Sequence, residues 1–178
     1  MPVFPTFTIS RVRILDNNLG ILFFKSKVGV CTLTLNIIIG FIIPWITALI
    51  FIRERKVLFL IAPFSAAMAF LINDIGFLYY WKLYPFYLDS LASLPFTLGL
   101  FCLYPCFAIY LIRKYHFPDH AVLILSSLLL TLAEGCGFLS KRVYYLNQWN
   151  IIATFLSYYI AILGSYLFYR ILKKNGYL

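Results

Sequence analysis

Apolar residues in this chain fall into long continuous runs, separated by short clusters of basic and aromatic residues. Five runs stand out, at about 28–52, 57–81, 94–112, 120–139 and 151–169. Each is long enough to cross a hydrocarbon core of about 30 Å at a helical rise of about 1.5 Å per residue. A segment in lipid must satisfy every backbone N–H and C=O internally, so it is either a helix or a strand of a closed barrel. Barrel strands read as alternating segments of about ten residues. These runs do not alternate. The pattern therefore predicts an all-α, polytopic membrane bundle of about five transmembrane helices. Residues 28–174 form that domain, and 175–178 form a short tail.

Composition agrees with the pattern. Of 178 residues, 63% are hydrophobic and 12% charged, against about 45–50% and about 25% in soluble domains. The net charge of +9 does not point to nucleic acid, because the Lys and Arg sit in loop clusters where they set membrane orientation. Residues 1–27 carry Arg11, Arg13, Asp16, Lys25 and Lys27 and contain no apolar window long enough to span. They read as a surface or poorly ordered segment. The first run is about twenty-five residues long, against about 7–15 for the apolar core of a secretory signal, so it reads as a retained span.

With five spans the termini lie on opposite sides. Arg53, Arg55, Lys56, Arg113, Lys114, Arg170, Lys173 and Lys174 share one side, and Lys82, Lys141 and Arg142 lie on the other. This asymmetry predicts a multi-pass protein of the cytoplasmic membrane with a cytoplasmic C-terminus. Counting the four basic residues of the N-terminal segment narrows the difference to eight against seven.

Helices in lipid associate through small and polar residues. Stripes of these recur at helical spacing: Gly29, Thr32, Asn36, Gly40 and Thr47 in the first span, and Ala62, Ala66, Ala69, Asn73 and Gly76 in the second. The third has Gly99, Cys102 and Cys106. The fourth has Ser127, Thr131, Glu134 and on to Lys141, and the fifth has Asn150, Thr154, Ser157, Ala161 and Gly164. Asn36, Asp74, Glu134, Ser157 and Tyr158 all lie at a similar distance from one end of their spans, in a layer roughly 10–12 Å below one surface. Asp74 and Glu134 are the acids well inside spans. A charged acid at a helix centre costs about 2.5–3.5 kcal/mol, and such residues usually face a protein interior or a wet cavity. Two interpretations stay open. In one, Asp74, Glu134, Asn36, Asn73, Ser157, Tyr158 and Lys141 line a pocket for an ion, proton or ligand. In the other, the acids pair with Asn36, Asn73, Tyr158 and a snorkelling Lys141 and join helices.

Other chemistry is sparse. His116, Asp119 and His120 lie within five residues. Pro118 breaks the helix that ligation at i,i+4 would need, so Asp119 reads as a helix cap and no metal is expected. No Cys-x-x-Cys pair, His-Glu-x-x-His, Gly-x-Ser-x-Gly or phosphate-binding loop is present. These absences predict a protein that is not an enzyme and needs no cofactor. Its partners are the bilayer and either a second copy or another membrane protein.

Residues 53–174 resemble a family of uncharacterised small multi-pass membrane proteins of spore-forming Gram-positive bacteria. The resemblance rests on Tyr84-Pro85, Ser93-Leu94-Pro95-Phe96, Tyr104-Pro105, Glu134 and Trp149, then Tyr166, Tyr169 and Lys173. Thr97 and Gly99 stand where such proteins often have an acid. The resemblance implies a five-helix protein of the cytoplasmic membrane and no particular activity. Three functions follow as expectations: a non-enzymatic, partner-binding or envelope- and sporulation-associated protein; a small ion- or proton-coupled transporter; or a membrane sensor with an acidic pocket.

Overall fold

The computed structural model describes residues 31–84 and 89–178. The expected N-terminal surface segment and the first residues of the first span lie outside them. Five helices follow in order: α1 Cys31–Phe51, α2 Arg55–Tyr79, α3 Ser90–Tyr115, α4 Asp119–Leu139 and α5 Ile151–Lys174. All are long and apolar enough to cross a membrane. The chain is thus an integral, multi-pass membrane protein in contact with the bilayer. Its exterior agrees: Ile50, Leu78, Leu132, Leu139 and Ile152 are each at least 64% exposed, as lipid-facing residues should be.

Helix ends differ from the apolar runs by up to five residues. Helix α3 begins four residues before Leu94, and α5 continues five residues beyond Tyr169, through Lys173 and Lys174. Hydropathy ends a run where charge begins. A helix can continue into the interface, because Lys and Arg place their heads in water while their stems stay in the apolar layer.

Helix α3 is central: 61% of its apolar stretch is buried, against 22–33% in the other four. It packs on α2, α4 and α5, and α5 also packs on α2 and α4. The small faces meet over most of their length, with Lys141 and Asn150 exposed at the ends. Gly40, Ala62, Ala69, Gly76, Gly99, Cys102, Cys106, Ser127 and Thr131 are buried. Hydrogen bonds join the helices within these faces, such as Ser65 Oγ to Ser165 Oγ at 2.9 Å and Asn36 Nδ2 to Ala92 O at 2.8 Å.

Helix α1 joins the bundle through an irregularity. Both α1 and α3 contain a wide, π-helical turn, Ile37–Ile42 and Thr97–Phe101, and these turns pack on each other. Pro44 and Pro105 follow them. A proline lacks the N–H that would bond the carbonyl four residues earlier, here Gly40 and Phe101, both inside the wide turns. The prolines thus fall where the helical ladder changes register. The two turns meet at Gly40 and Gly99, where a Cβ on Gly99 would stand 2.0 Å from Gly40 O. Glycine is required there by the backbone approach itself. The Trp45 indole donates to Leu98 O at 3.0 Å across the same contact.

The loops add one element absent from the hydropathy pattern. Strands β1, Trp81–Leu83, and β2, Val143–Tyr145, pair antiparallel, with Lys82 opposite Tyr144. They link the α2–α3 and α4–α5 connections at one end of the bundle. Trp81 therefore belongs to a strand, not to the second span. Its ring lies over Gly76, where a Cβ would come within 1.8 Å of it. Trp149 packs against Trp81 at 5.2 Å and against Tyr80 at 4.5 Å, centroid to centroid.

Candidate functional site

Beneath the two strands lies a cavity of about 200 Å³ to which all five helices contribute. Asn36 enters from α1, Asn73 from α2, Ser93 from α3, Glu134 from α4, and Ser157 and Tyr158 from α5. Apolar and aromatic side chains fill the spaces between, among them Phe77, Trp81, Phe96 and Phe101. Concave, mainly apolar walls with a few convergent polar groups are the usual form of a small-molecule site.

Glu134 is the acid on this wall, and its carboxylate is held from two sides. Tyr158 donates its hydroxyl hydrogen to Oε2 at 2.5 Å. Tyr145 donates to Oε1 at 2.9 Å, and Thr154 lies 3.4 Å from the same oxygen. Thr154 is itself 3.2 Å from the Tyr145 hydroxyl and accepts from the Trp149 indole at 2.9 Å. The donors run in one direction, from Trp149 through Thr154 and Tyr145 to the carboxylate. Burial pushes the Tyr145 phenol above its ordinary value, and the Glu134 charge adds to that rise. Tyr145 therefore stays protonated and able to donate. Sequence and local structure explain the placement. Asn150 caps α5 by accepting from the N–H groups of Ile152 and Ala153, as an N-cap asparagine should. That cap sets the start of α5, so Thr154 and Tyr158 fall one above the other at i,i+4.

Of the candidate pocket residues, the structure brings Asn36, Asn73, Glu134, Ser157 and Tyr158 to one cavity. Asn73 donates to Thr97 Oγ1 at 2.7 Å, and Ser157 donates to Thr154 O at 2.8 Å. Asp74 is not among them. It is exposed on the outside of α2 and has no ion-pair partner among the described residues. One residue of helix turns a side chain by about 100°, so Asn73 points in where Asp74 points out. Lys141 is also elsewhere. Helix α4 ends at Leu139, and Lys141 adopts a left-handed backbone with φ 57°. It lines an outer depression with Ser140, Arg142 and Tyr144 rather than reaching Glu134.

Asp119 is a further correction. It lies in the first turn of α4 but makes no cap hydrogen bond. Its carboxylate instead accepts from the Tyr166 hydroxyl of α5. Among the described residues, no group of three His, Cys, Asp or Glu could hold a metal. At the same end, Arg113 pairs with Glu54 at 2.9 Å and lies over the Tyr169 ring.

Sequence patterns alone did not assign roles to Tyr145, Trp149 or Arg142. Tyr145 and Trp149 read as interfacial aromatics, and Arg142 as a topological charge. The available signal was the short β-branched and aromatic run Val143–Tyr145, which favours a strand but names no partner. Comparison with family models, curated proteins and solved structures finds no match for this chain.

Proposed function

We propose that this chain is a non-enzymatic protein of a bacterial cytoplasmic membrane that binds a small, mainly apolar molecule next to Glu134. One observation carries this: five helices converge on a cavity whose acid is held by hydroxyl donors. The resemblance to small multi-pass proteins of spore-forming bacteria supports the setting, and a sensory or partner-binding role fits such a site. Binding is favoured over conduction because the cavity narrows inward. Between Ser65, Asn73, Pro105 and Ser165 only a gap of about 20 Å³ remains, about the room one water needs.

The test is what accompanies the protein. Wild type and Ser157→Leu are purified in native lipid nanodiscs, and small molecules are extracted for mass spectrometry. A species held in stoichiometric amount by the wild type and lost from the leucine variant is expected. Identical extracts from both proteins would remove the binding proposal.

The proposal places the C-terminus in the cytoplasm, with the cavity toward the outer surface, as the eight basic residues on the opposite side favour. Replacing Cys31 and Cys136 by alanine provides a background for labelling. Leu146→Cys should then react with a membrane-impermeant maleimide on intact cells, and Asn175→Cys should react only after lysis. The reverse pattern would invert the orientation and leave the cavity as it is.

A further inference from the structure

In Asn36, Asn73, Ser93, Ser157 and Tyr158, every hydroxyl hydrogen and one amide hydrogen of each asparagine are spent within the protein. Asn36 gives an amide hydrogen to Ala92 O, and Asn73 gives one to Thr97 Oγ1. Ser93 donates to Ser90 O, Ser157 to Thr154 O and Tyr158 to Glu134. Away from Arg142 at the rim, these residues and Glu134 therefore present mostly oxygens: amide carbonyls, hydroxyl lone pairs and a carboxylate. A guest rich in acceptors would leave those oxygens unmatched, and unmatched buried polar groups are costly. A guest bearing N–H donors would satisfy them.

Charge and ring geometry point the same way. Glu134 is the acid among the lining residues, and Arg142 is the cation. Glu134 is half-buried, whereas Arg142 is exposed at the rim. Coulomb interactions are about four times stronger at an effective dielectric near 20 than in water near 80, and exposed charges are also screened by salt. The acid therefore outweighs the arginine for a charge seated inside. Phe77, Trp81, Phe96, Phe101 and Tyr158 surround that seat, and aromatic faces attract organic cations. A bare inorganic ion would exchange its hydration shell for these rings and gain few ligands. An organic ammonium buries its carbon skeleton against them.

We infer that the ligand is a small hydrophobic amine bound as its ammonium, with Glu134 as counter-ion and the Asn36 and Asn73 carbonyls as further acceptors. This rests on the proposal that the cavity binds a small molecule.

Three probes of matched size separate the possibilities: phenylbutylamine, phenylbutanol and phenylbutyrate, titrated calorimetrically into the full chain in nanodiscs. The amine should bind at least about tenfold more tightly than the alcohol or the acid. Glu134→Gln should abolish that preference, and Ser157→Leu should weaken binding of the amine. The wild-type comparison needs no variant, so it decides even if Glu134→Gln lowers stability. Equal affinity for amine and alcohol would overturn the inference, as would preference for the acid through Arg142. So would an unchanged amine affinity in either variant, or no amine binding up to about 1 mM. A co-purifying species lost in Ser157→Leu would still show that the cavity binds something, so the two proposals fail separately.

Discussion

Gly99→Leu is expected to detach α1 from the bundle and lower stability by about 3 kcal/mol, the upper end for an overpacked core. The reason is the identity of the atoms in the way. A Cβ at residue 99 would lie 2.0 Å from Gly40 O and 2.6 Å from Phe41 Cα. These are backbone atoms of a helix and cannot swing aside as a side-chain tip can. Relief requires separating the two wide turns, which also breaks the Trp45 bond to Leu98 O and the Asn36 bond to Ala92 O. Gly135→Ala is the matched control. There a Cβ would meet only Ile151 Cδ1 at 3.8 Å, so helix propensity should leave stability equal or raise it by up to about 1 kcal/mol. Thermal unfolding in detergent, followed by fluorescence size-exclusion chromatography, measures both variants. A Gly99→Leu protein that melts with the wild type would contradict the close approach of α1 and α3.

The second large effect is expected at the Glu134 cluster. Tyr158→Phe removes the 2.5 Å bond to Oε2 and leaves the ring in place. Hydrogen bonds between membrane helices average about 0.6 kcal/mol and reach about 1.7. Bonds to charged groups are worth about 1.5–3 kcal/mol. The carboxylate acceptor places this pair in the higher range, so a loss of about 1.5–3 kcal/mol is expected. A double-mutant cycle with Glu134→Gln isolates the contact, and a coupling above about 1 kcal/mol is expected. Additive losses would mean that Tyr158 contributes packing and no bond. Thr154→Val tests the cluster from its other side. Thr154 is 1% exposed, and its loss leaves the Trp149 indole without its acceptor.

Some of this architecture follows from the chain alone. Five uninterrupted apolar runs demand five helices, because lipid offers no partner for a backbone left open. Helical rise is constant, so distance from a span end translates directly into depth. That is why Asn36, Asp74, Glu134, Ser157 and Tyr158 could be placed at one level before it was known that all but Asp74 line one cavity. The small faces follow for the same reason. Stripes such as Ala62, Ala69 and Gly76 mark where backbones can approach, and Gly40 and Gly99 lie where they do.

Which groups meet across helices, and which distant loops pair, were not legible. Asn73 and Asp74 differ by one residue in depth and by about 100° in direction. The stripe Ala62, Ala66, Ala69, Asn73 and Gly76 placed Asn73 on the contact face, but depth alone kept Asp74 in the layer, because excluding it depends on how α2 is rotated against its neighbours. Lys141 lay beyond the last turn of α4, so helical direction did not apply to it. Tyr145 reaches Glu134 because Val143–Tyr145 folds back as a strand against Trp81–Leu83. That pairing joins segments about sixty residues apart in sequence, and no local pattern encodes it. Hydrophobic length and residue spacing therefore determine that this chain spans the membrane five times and how deep each polar group lies. Only helix rotation and the joining of two distant loops decide which of those groups meet, since rotation and loop pairing depend on every neighbour at once.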